Sequence, residues 1–264
     1  MSNLELRKST RPRLSVRLAR NDEDLAAVQR LRWQVFFEER RAASVIEAAT
    51  HSDSDDYDPL CDHLLVIDEE AEGGAGVVGT YRLLRESVTR AHSGFYSAGE
   101  FNIDLLISGP SRPAGELLEL GRSCVLPAYR TSATIQLLWR GIASYIADNG
   151  IGLMFGCASF PGTDPEPHAE ALSYLYHHHR AAPDHRPVVR GGKGIDLERR
   201  PPGGFDERKA MFQLPPLIKG YLRVGAKFGD GAFVDHDFNT IDVCVVMPVE
   251  RISERYAARF SVAA

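Results

Sequence analysis

Residues 116–158, ELLELGRSCVLPAYRTSATIQLLWRGIASYIADNGIGLMFGCA, read as a strand, a tight turn, a helix and a second strand. Leu117, Leu118, Leu120, Cys124 and Val125 form an apolar run that Glu119 and Arg122 interrupt. Leu126-Pro-Ala-Tyr-Arg130 ends the run, because Pro127 has no N–H with which to continue a sheet ladder. Thr131 or Ser132 caps the next helix by accepting from the orphan N–H groups of its first turn. Ile135, Leu138, Trp139, Ile142 and Ile146 then recur at helical spacing until Asn149-Gly150 stops them. Leu153, Met154, Phe155 and Cys157 begin the second buried strand. Free N–H groups and the positive end of the helix dipole favour an anion at the helix start. Charges inside a core strand are costly unless paired or used, which singles out Glu119 and Arg122.

This unit resembles the central motif of GNAT-type acyltransferases, in which the helix start after the fourth strand holds the phosphate of a thioester donor. The resemblance implies an α/β, GNAT-like acyltransferase fold: a central mixed, mostly antiparallel sheet flanked by helices. The family's glycine-bearing loop is poor in glycine here, at Arg130-Thr-Ser-Ala133-Thr-Ile135. That suits a single-phosphate arm better than the pyrophosphate of coenzyme A. Arg130, Thr131, Ser132, Ala133 and Thr134 are accordingly the expected contacts of the donor's phosphopantetheine.

The chain has 264 residues, 44% of them hydrophobic and 25% charged, the make-up of an ordinary soluble globular protein. The expected organisation is a basic, disordered arm over residues 1–13 and one acyltransferase domain over 14–264. A net charge of −5 argues against nucleic-acid binding through phosphate neutralisation. The charge is segregated: residues 1–20 hold six Arg or Lys and one Glu, whereas 47–72 hold ten acids and no Arg or Lys. Cys61, Cys124, Cys157 and Cys244 lack CxxC spacing, so reduced, packed thiols are expected. No secretory pattern occurs and no apolar run approaches the roughly 20 residues of a membrane span, which predicts a cytoplasmic protein.

Outward from the central unit, a strand is expected at Leu14–Leu18, and a helix capped by Asn21 runs through Leu25, Val28, Leu31 and Val35 to about Phe37. Residues 38–62 read as a long loop holding Asp53-Ser-Asp-Asp-Tyr-Asp58. His63–Asp68 and Val77–Leu84 read as a hairpin across Glu72-Gly-Gly-Ala-Gly76. Residues 87–115 fit no single period. Later come a helix from Asp164-Pro165 to His178 and a loop-like, moderately basic stretch over 180–209. A helix through Leu217, Tyr221, Val224 and Phe228, a strand at Ile241–Met247 and a tail helix at Arg251–Phe260 complete the chain.

Four patches carry a more specific resemblance: Arg32-Trp-Gln-Val-Phe36, Asp55-Asp-Tyr-Asp58, Tyr81-Arg82-Leu83-Leu84 and Glu119-Leu-Gly-Arg122. In this order they resemble acyl-homoserine-lactone synthases, whose functional positions fall on Arg32, Phe36, Asp55, Asp58, Arg82, Glu119 and Arg122. The family's Ser before the last Arg is Gly121 here. The rest of the chain is similar to a sister group, the L-ornithine N(alpha)-acyltransferases of ornithine-lipid synthesis. Gly121-Arg-Ser-Cys-Val125 and Phe155-Gly-Cys-Ala-Ser159 are the most telling stretches, supported by Cys61-Asp-His-Leu-Leu-Val66, Leu138-Trp-Arg-Gly-Ile142, Pro215-Pro-Leu-Ile-Lys-Gly-Tyr221 and Asp237-Phe-Asn-Thr240.

An amine must be neutral to attack a thioester, so a carboxylate such as Glu119 can take its proton directly or through one water. The plainer use of Glu119 is an ion pair with Arg122 or Arg82. Those two arginines suit the acceptor's carboxylate, or structural pairing. Asp55 and Asp58 suit the acceptor's side-chain ammonium, or the fixing of Arg32. His177-His178-His179 resembles a metal tract, but consecutive helical residues point in different directions, and no metal site is expected.

The resemblance implies transfer of a 3-hydroxyacyl group from acyl carrier protein to the α-amino group of L-ornithine, with no resident cofactor, since phosphopantetheine arrives on the donor. It also implies peripheral contact with the inner membrane face through the lipid product. An acidic carrier needs a local basic surface, for which Arg130, Arg140 and the 180–209 segment are candidates. The alternatives are a same-fold enzyme that uses another amino acid or makes a lactone signal, and a non-catalytic lipid- or carrier-binding module.

Overall fold

The computed structural model describes residues 12–39, 49–71, 76–92, 94–192 and 194–252. Its centre is a sheet of nine strands. The seven longer ones are β1 (Leu14–Leu18), β2 (Asp62–Asp68), β3 (Gly76–Arg85), β4 (Glu116–Val125), β5 (Ile151–Pro161), β6 (Ala232–Asp235) and β7 (Thr240–Pro248). They lie in the order β1-β2-β3-β4-β5-β7-β6. Gly194–Ile195 extends the edge beyond β6, and Lys227–Phe228 pairs with β7. Only β4 and β5 run parallel, so the sheet is mixed and mostly antiparallel, as the resemblance implied.

Two irregularities of β4 shape the site. Its pairing with β5 covers only Glu116–Glu119 against Ile151–Phe155. Beyond that point β4 stays with β3 as far as Val125, while β5 stays with β7 as far as Pro161. The two strands therefore splay, and their inner edges face each other with no ladder between them. Gly156 sits at the branch point, where an added Cβ would lie 2.2 Å from the Leu120 carbonyl oxygen. The second irregularity is a register shift against β3 between Thr80 and Arg82. It gives β4 one extra residue there, a β-bulge, with Arg122 held at φ +48°.

Helices close both faces. α1 (Asp22–Trp33) starts under its expected cap, with the Asp24 N–H donating to Asn21 Oδ1 at 2.9 Å. α2 (Ser132–Asn149) is capped by Thr131 and ends at Gly150 with φ 61°, a left-handed stop that glycine adopts without strain. α3 (Ala169–His179), α4 (Glu207–Gln213) and α5 (Pro216–Arg223) follow. One core joins Leu138 and Ile142 of α2, Leu172 and Leu175 of α3 and Ile218 of α5 to Leu64, Leu83, Leu118, Leu120 and Met154 of the sheet. On the opposite face the 95–106 segment inserts Phe95, Phe101, Ile103 and Leu106 over Leu117, Leu153, Phe155 and Val246. Each fully buried side chain of this size is worth about 1.5–3 kcal/mol. The same face receives α1 through Val28 and Leu31, and the turn after it through Val35 and Phe36.

Some expectations are corrected. The helix after Pro215-Pro216 ends at Arg223 rather than reaching Phe228, because Gly225 turns left-handed at φ +88° and Lys227–Phe228 pairs with β7. The helix expected from Asp164 begins with a 3-10 turn at Glu166–His168 before α3 proper. β6 had no sequence signal of its own. The ambiguous 87–115 stretch resolves into a 3-10 turn at Tyr96–Gly99, a two-residue strand at Phe101–Asn102 and a short helix at Asp104–Ser108. The Glu72–Gly76 turn, the N-terminal arm and the tail helix lie largely outside the described residues; Val249–Arg251 is a 3-10 turn.

Gly156→Ala should lower stability by about 2 kcal/mol or more, because its methyl meets backbone that cannot step aside. Gly191→Ala, with open space around it, should be nearly neutral in the same denaturant titration.

Candidate active site

Three arginines and three aspartates interlock above β3 and β4. Arg32, on α1, is fully buried. Its Nε donates to Asp53 Oδ2 at 2.7 Å, and its Nη1 and Nη2 donate to both oxygens of Asp58 at 2.8 Å each. Nη2 also donates to the Asp53 carbonyl. Arg82, on β3, donates to Asp55 Oδ1 at 2.6 Å and Asp58 Oδ1 at 3.0 Å. Arg122, swung out by the bulge, donates to Asp53 Oδ2 at 3.1 Å and Asp55 Oδ2 at 3.0 Å. Burial alone would raise the Asp58 carboxyl, but the Arg32 fork and charge overrule it and hold it well below the usual range. Asp55 is lowered in the same way by Arg82.

Glu119 makes neither of the ion pairs anticipated for it. Oε2 accepts from the Tyr96 N–H at 2.8 Å, and Oε1 accepts from the Ser97 N–H at 2.7 Å and from the Ser97 hydroxyl. It holds the 96–99 turn over the splay, at the last residue where β4 touches β5. Burial pushes its carboxyl up against the pull of those donors, so it titrates above an ordinary glutamate. A carboxylate offers about four lone-pair positions, and three donors leave one open, on Oε2. Tyr96 also ties the two charged groups together. Its N–H reaches Glu119, while its ring lies 4.8 Å from the Arg122 guanidinium and 5.2 Å from that of Arg82.

A second set of acids had no sequence signal. Glu100, Asp235 and Asp242 each place a carboxylate oxygen within 4.8 Å of the others. Burial, then the Asp242 charge, pushes the Glu100 carboxyl up to about 8, and burial likewise pushes Asp242 up to about 6. Cys157 Sγ lies 3.2 Å from Glu100 Oε2 and 3.4 Å from Ser97 Oγ, so this group adjoins Glu119. Phe238, whose N–H donates to Asp235 Oδ1 at 3.0 Å, stacks its ring 4.6 Å from Arg122 and packs edge-on against Phe36.

Sequence analysis therefore anticipated Arg32, Phe36, Asp55, Asp58, Arg82, Glu119 and Arg122, and the fold gathers all of them on one face. It missed Asp53, Tyr96, Ser97, Glu100, Asp235, Asp242 and Phe238. Of these, Asp53 belonged to the acidic run already singled out. At the other end of the splay Thr131, Ser132 and Ala133 are exposed at the start of α2. Thr134 is buried, and its N–H donates to Thr131 Oγ1 at 3.3 Å. Arg130 is bidentate to Glu39 at 2.7 and 2.5 Å, so its charge is locally balanced, and Arg199 and Arg200 similarly meet Glu166. The histidines at the end of α3 go separate ways: His177 to the Arg200 carbonyl, His178 to Glu207, while burial pulls His179 down to about 4. Burial raises the thiols of Cys61, Cys157 and Cys244, as packing residues require and thiolate nucleophiles do not. Among the described residues no helix is long and apolar enough to cross a membrane.

A family model described as an acetyltransferase (GNAT) domain matches residues 31–140. The chain is 47% identical over 250 residues to the L-ornithine N(alpha)-acyltransferase of Agrobacterium fabrum, covering 94% of this chain and 85% of that one. It is likewise 47% identical over 258 residues to the enzyme of the same name from Rhizobium meliloti, covering 94% and 86%. A solved CoA-dependent acyl-homoserine lactone synthase superposes with a TM-score of 0.50 at 14% identity, over 94% of this chain and 96% of that one, a likeness of fold.

Arg32→Ala should cost about 3–5 kcal/mol in chemical denaturation, because it leaves two buried aspartates short of their partner. A carboxyl raised by folding contributes stability that is complete below its unfolded value and lost as pH rises through its folded value. Acidifying from about pH 8 to about pH 6.5 should thus raise the thermal midpoint, chiefly through Glu100. Glu100→Gln should remove most of that slope. His63 and His179, both lowered by burial, oppose the trend only below about pH 6.5, the unfolded histidine value.

Proposed function

The chain belongs to the L-ornithine N(alpha)-acyltransferase family, and from that premise we propose that it moves a 3-hydroxyacyl group from acyl carrier protein to the α-amino group of L-ornithine, the first step of ornithine-lipid synthesis. The observation that carries the reading is the splay of β4 from β5, with the Glu119 carboxylate at its apex and the start of α2 at its mouth. A pantetheine arm is a thin, amide-bearing chain, and two unpaired strand edges offer it N–H and C=O partners along its length. Its single phosphate would lie against Thr131, Ser132 and Ala133 at the helix start, with Arg130 and the buried Thr134 framing the turn.

In the proposed reaction, the acceptor's carboxylate lies toward Arg122 and Arg82. Arg122 is the better placed, because its side chain keeps 11% of its surface exposed, against 4% for Arg82 and none for Arg32. Arg32, Asp55 and Asp58 then position these two rather than touch substrate, and Phe36 backs Phe238 on the Arg122 ring stack. The α-ammonium gives a proton to Glu119, at the open position on Oε2 or through one water. The neutral nitrogen attacks the thioester carbonyl, and N–H groups on the splayed edges stabilise the oxyanion. Collapse breaks the C–S bond, forms the amide and expels the pantetheine thiolate, which takes up a proton. The reaction as written needs no metal and no resident cofactor.

The glycine-poor turn at residues 130–135 supports acyl carrier protein over coenzyme A as the donor. Contact with a membrane surface is supported by α4, where Phe212 is 82% exposed and Met211 48% exposed beside Lys209 and Lys219. Such a surface lets a single-chain lipid product leave without crossing water.

Purified protein supplied with 3-hydroxyacyl carrier protein should release free thiol only when L-ornithine is present, with the N-acylated amino acid seen by mass spectrometry. Absence of both in an active donor preparation overturns the reading. Glu119→Gln should cut turnover at pH 7 by about 10²-fold or more, with partial recovery at higher pH where more amine is already neutral. An unchanged rate would leave Glu119 with only its turn-holding role.

A further inference from the structure

We propose that Glu100, Asp235 and Asp242 form the subsite for the side-chain ammonium of the acceptor, and so make the enzyme selective for a dibasic amino acid. The inference rests on the N-acyltransferase reading above and adds to it the groups that tell one amino acid from another.

The charge balance points here. Asp53, Asp55 and Asp58, the natural candidates from the sequence, are all committed to Arg32, Arg82 and Arg122. None has a charge left for a ligand. Glu100, Asp235 and Asp242 converge from three elements: the residue after the 96–99 turn, the end of β6, and β7. Among the described residues, none of these three makes an ion pair to an arginine or lysine. Arg122, whose charge reaches Asp242, is already committed to Asp53 and Asp55.

The hydrogen bonding is also incomplete. Asp235 Oδ1 accepts from the Asp237 and Phe238 N–H groups, and Glu100 Oε2 is met by the Cys157 thiol. Asp242 Oδ1, by contrast, is buried with no hydrogen-bond partner among the described residues, and so is Thr240 Oγ1 two residues along the same face of β7. Asp242 is 6% exposed and Thr240 4%, so neither is well served by solvent. The Ser159 and Thr240 hydroxyls lie near enough to favour the Asp242 carboxylate, yet its Oδ1 has no hydrogen-bond partner among the described residues. A buried acceptor left open is expensive, and native structures keep one where something is to be bound.

The shape fits a primary ammonium. Three tetrahedral N–H groups bonded at about 2.8 Å set their acceptors about 4.6 Å apart, and the three carboxylate oxygens lie within 4.8 Å of one another. The position fits as well. Glu100 connects to Glu119 through Cys157 and Ser97, a chain of short contacts that places the two carboxylates side by side on one face of the sheet. The two amino groups of an amino acid with three methylenes in its side chain stand roughly 6 Å apart when extended, the span of five skeletal bonds. With its α-nitrogen at Glu119, such a side chain ends among the three acids. Burial raises Glu100 and Asp242, and a cation between them would favour their charged forms.

The test compares L-ornithine with L-norvaline, which has the same carbon skeleton but no side-chain amine. Wild type should favour ornithine in kcat/KM by about 100-fold or more, since the empty cage would be left around a methyl group. Glu100→Gln and Asp242→Asn should each cut that ratio by about 10- to 100-fold, mainly through KM for ornithine. Their thermal midpoints should not fall, because each replaces a buried acid that has no cationic partner among the described residues. Folded variants that keep the wild-type ratio overturn the proposal, and if one variant does not fold the other decides. Wild type that uses both acceptors equally overturns it while leaving the acyltransferase reading intact. Wild type that uses neither removes the premise. A stoichiometric divalent ion in the purified protein, lost in Asp242→Asn, would make the cluster a metal site and also overturn it.

Discussion

The burial of the Arg32 guanidinium constrains everything around it. A charge with no solvent access is tolerable only if its donors are saturated and its charge is neutralised. The 53–58 loop does both, with two carboxylates and one main-chain carbonyl folded over the end of α1. Once that loop is fixed, Asp55 faces the sheet and meets Arg82 and Arg122, while Asp58 Oδ1 is shared by Arg32 and Arg82 and Asp53 Oδ2 by Arg32 and Arg122. The network is thus a clamp that joins α1, a long loop and two strands. Its value lies less in net stability than in geometry, since a well-packed apolar cluster would hold as tightly without orienting any guanidinium.

The clamp and the splay depend on each other. Arg122 reaches Asp53 and Asp55 because β4 bulges, and the bulge sits on the stretch of β4 that has parted from β5. A strand paired on both edges resists such an insertion, whereas one with a free edge accepts the extra residue. The same parting leaves Glu119 as the last paired residue, with its carboxylate reaching across the gap to the 96–99 turn. Opening the sheet, aiming the arginine and seating the carboxylate are consequences of one topological event, the parting of β4 from β5 after Glu119 while each strand keeps its other neighbour.

Much of this was legible in the sequence, for physical reasons. The 116–158 unit reads correctly because its signals are local: a proline that ends a strand, a threonine cap, helical apolar spacing and a glycine stop. Glu119 and Arg122 were conspicuous as charges inside an apolar run, and Arg32 and Arg82 stood out through the resemblance to lactone synthases. What they bind was not legible, since hydrogen bonds such as Glu119 to Ser97 join residues that only the tertiary fold brings together. Helix 216–223 was read too long because apolar spacing continues through Phe228, and one left-handed glycine outweighs the period. Glu100, Asp235 and Asp242 lie in three separate, ordinary segments. Nothing about any of them marks a site until the sheet assembles.

The two charged groups then differ in kind, and the difference is informative. In the first, three cations meet three anions through six ion pairs. In the second, three acids share one small space while a carboxylate oxygen and a hydroxyl go without partners. A protein that balances one buried cluster so fully has no structural reason to leave the next unbalanced, since a single lysine or asparagine would repair it. An uncompensated buried charge weakens the folded state, and such weaknesses persist where function needs them. The balanced cluster is the frame. The unbalanced one is where a cation arriving from outside completes the arithmetic.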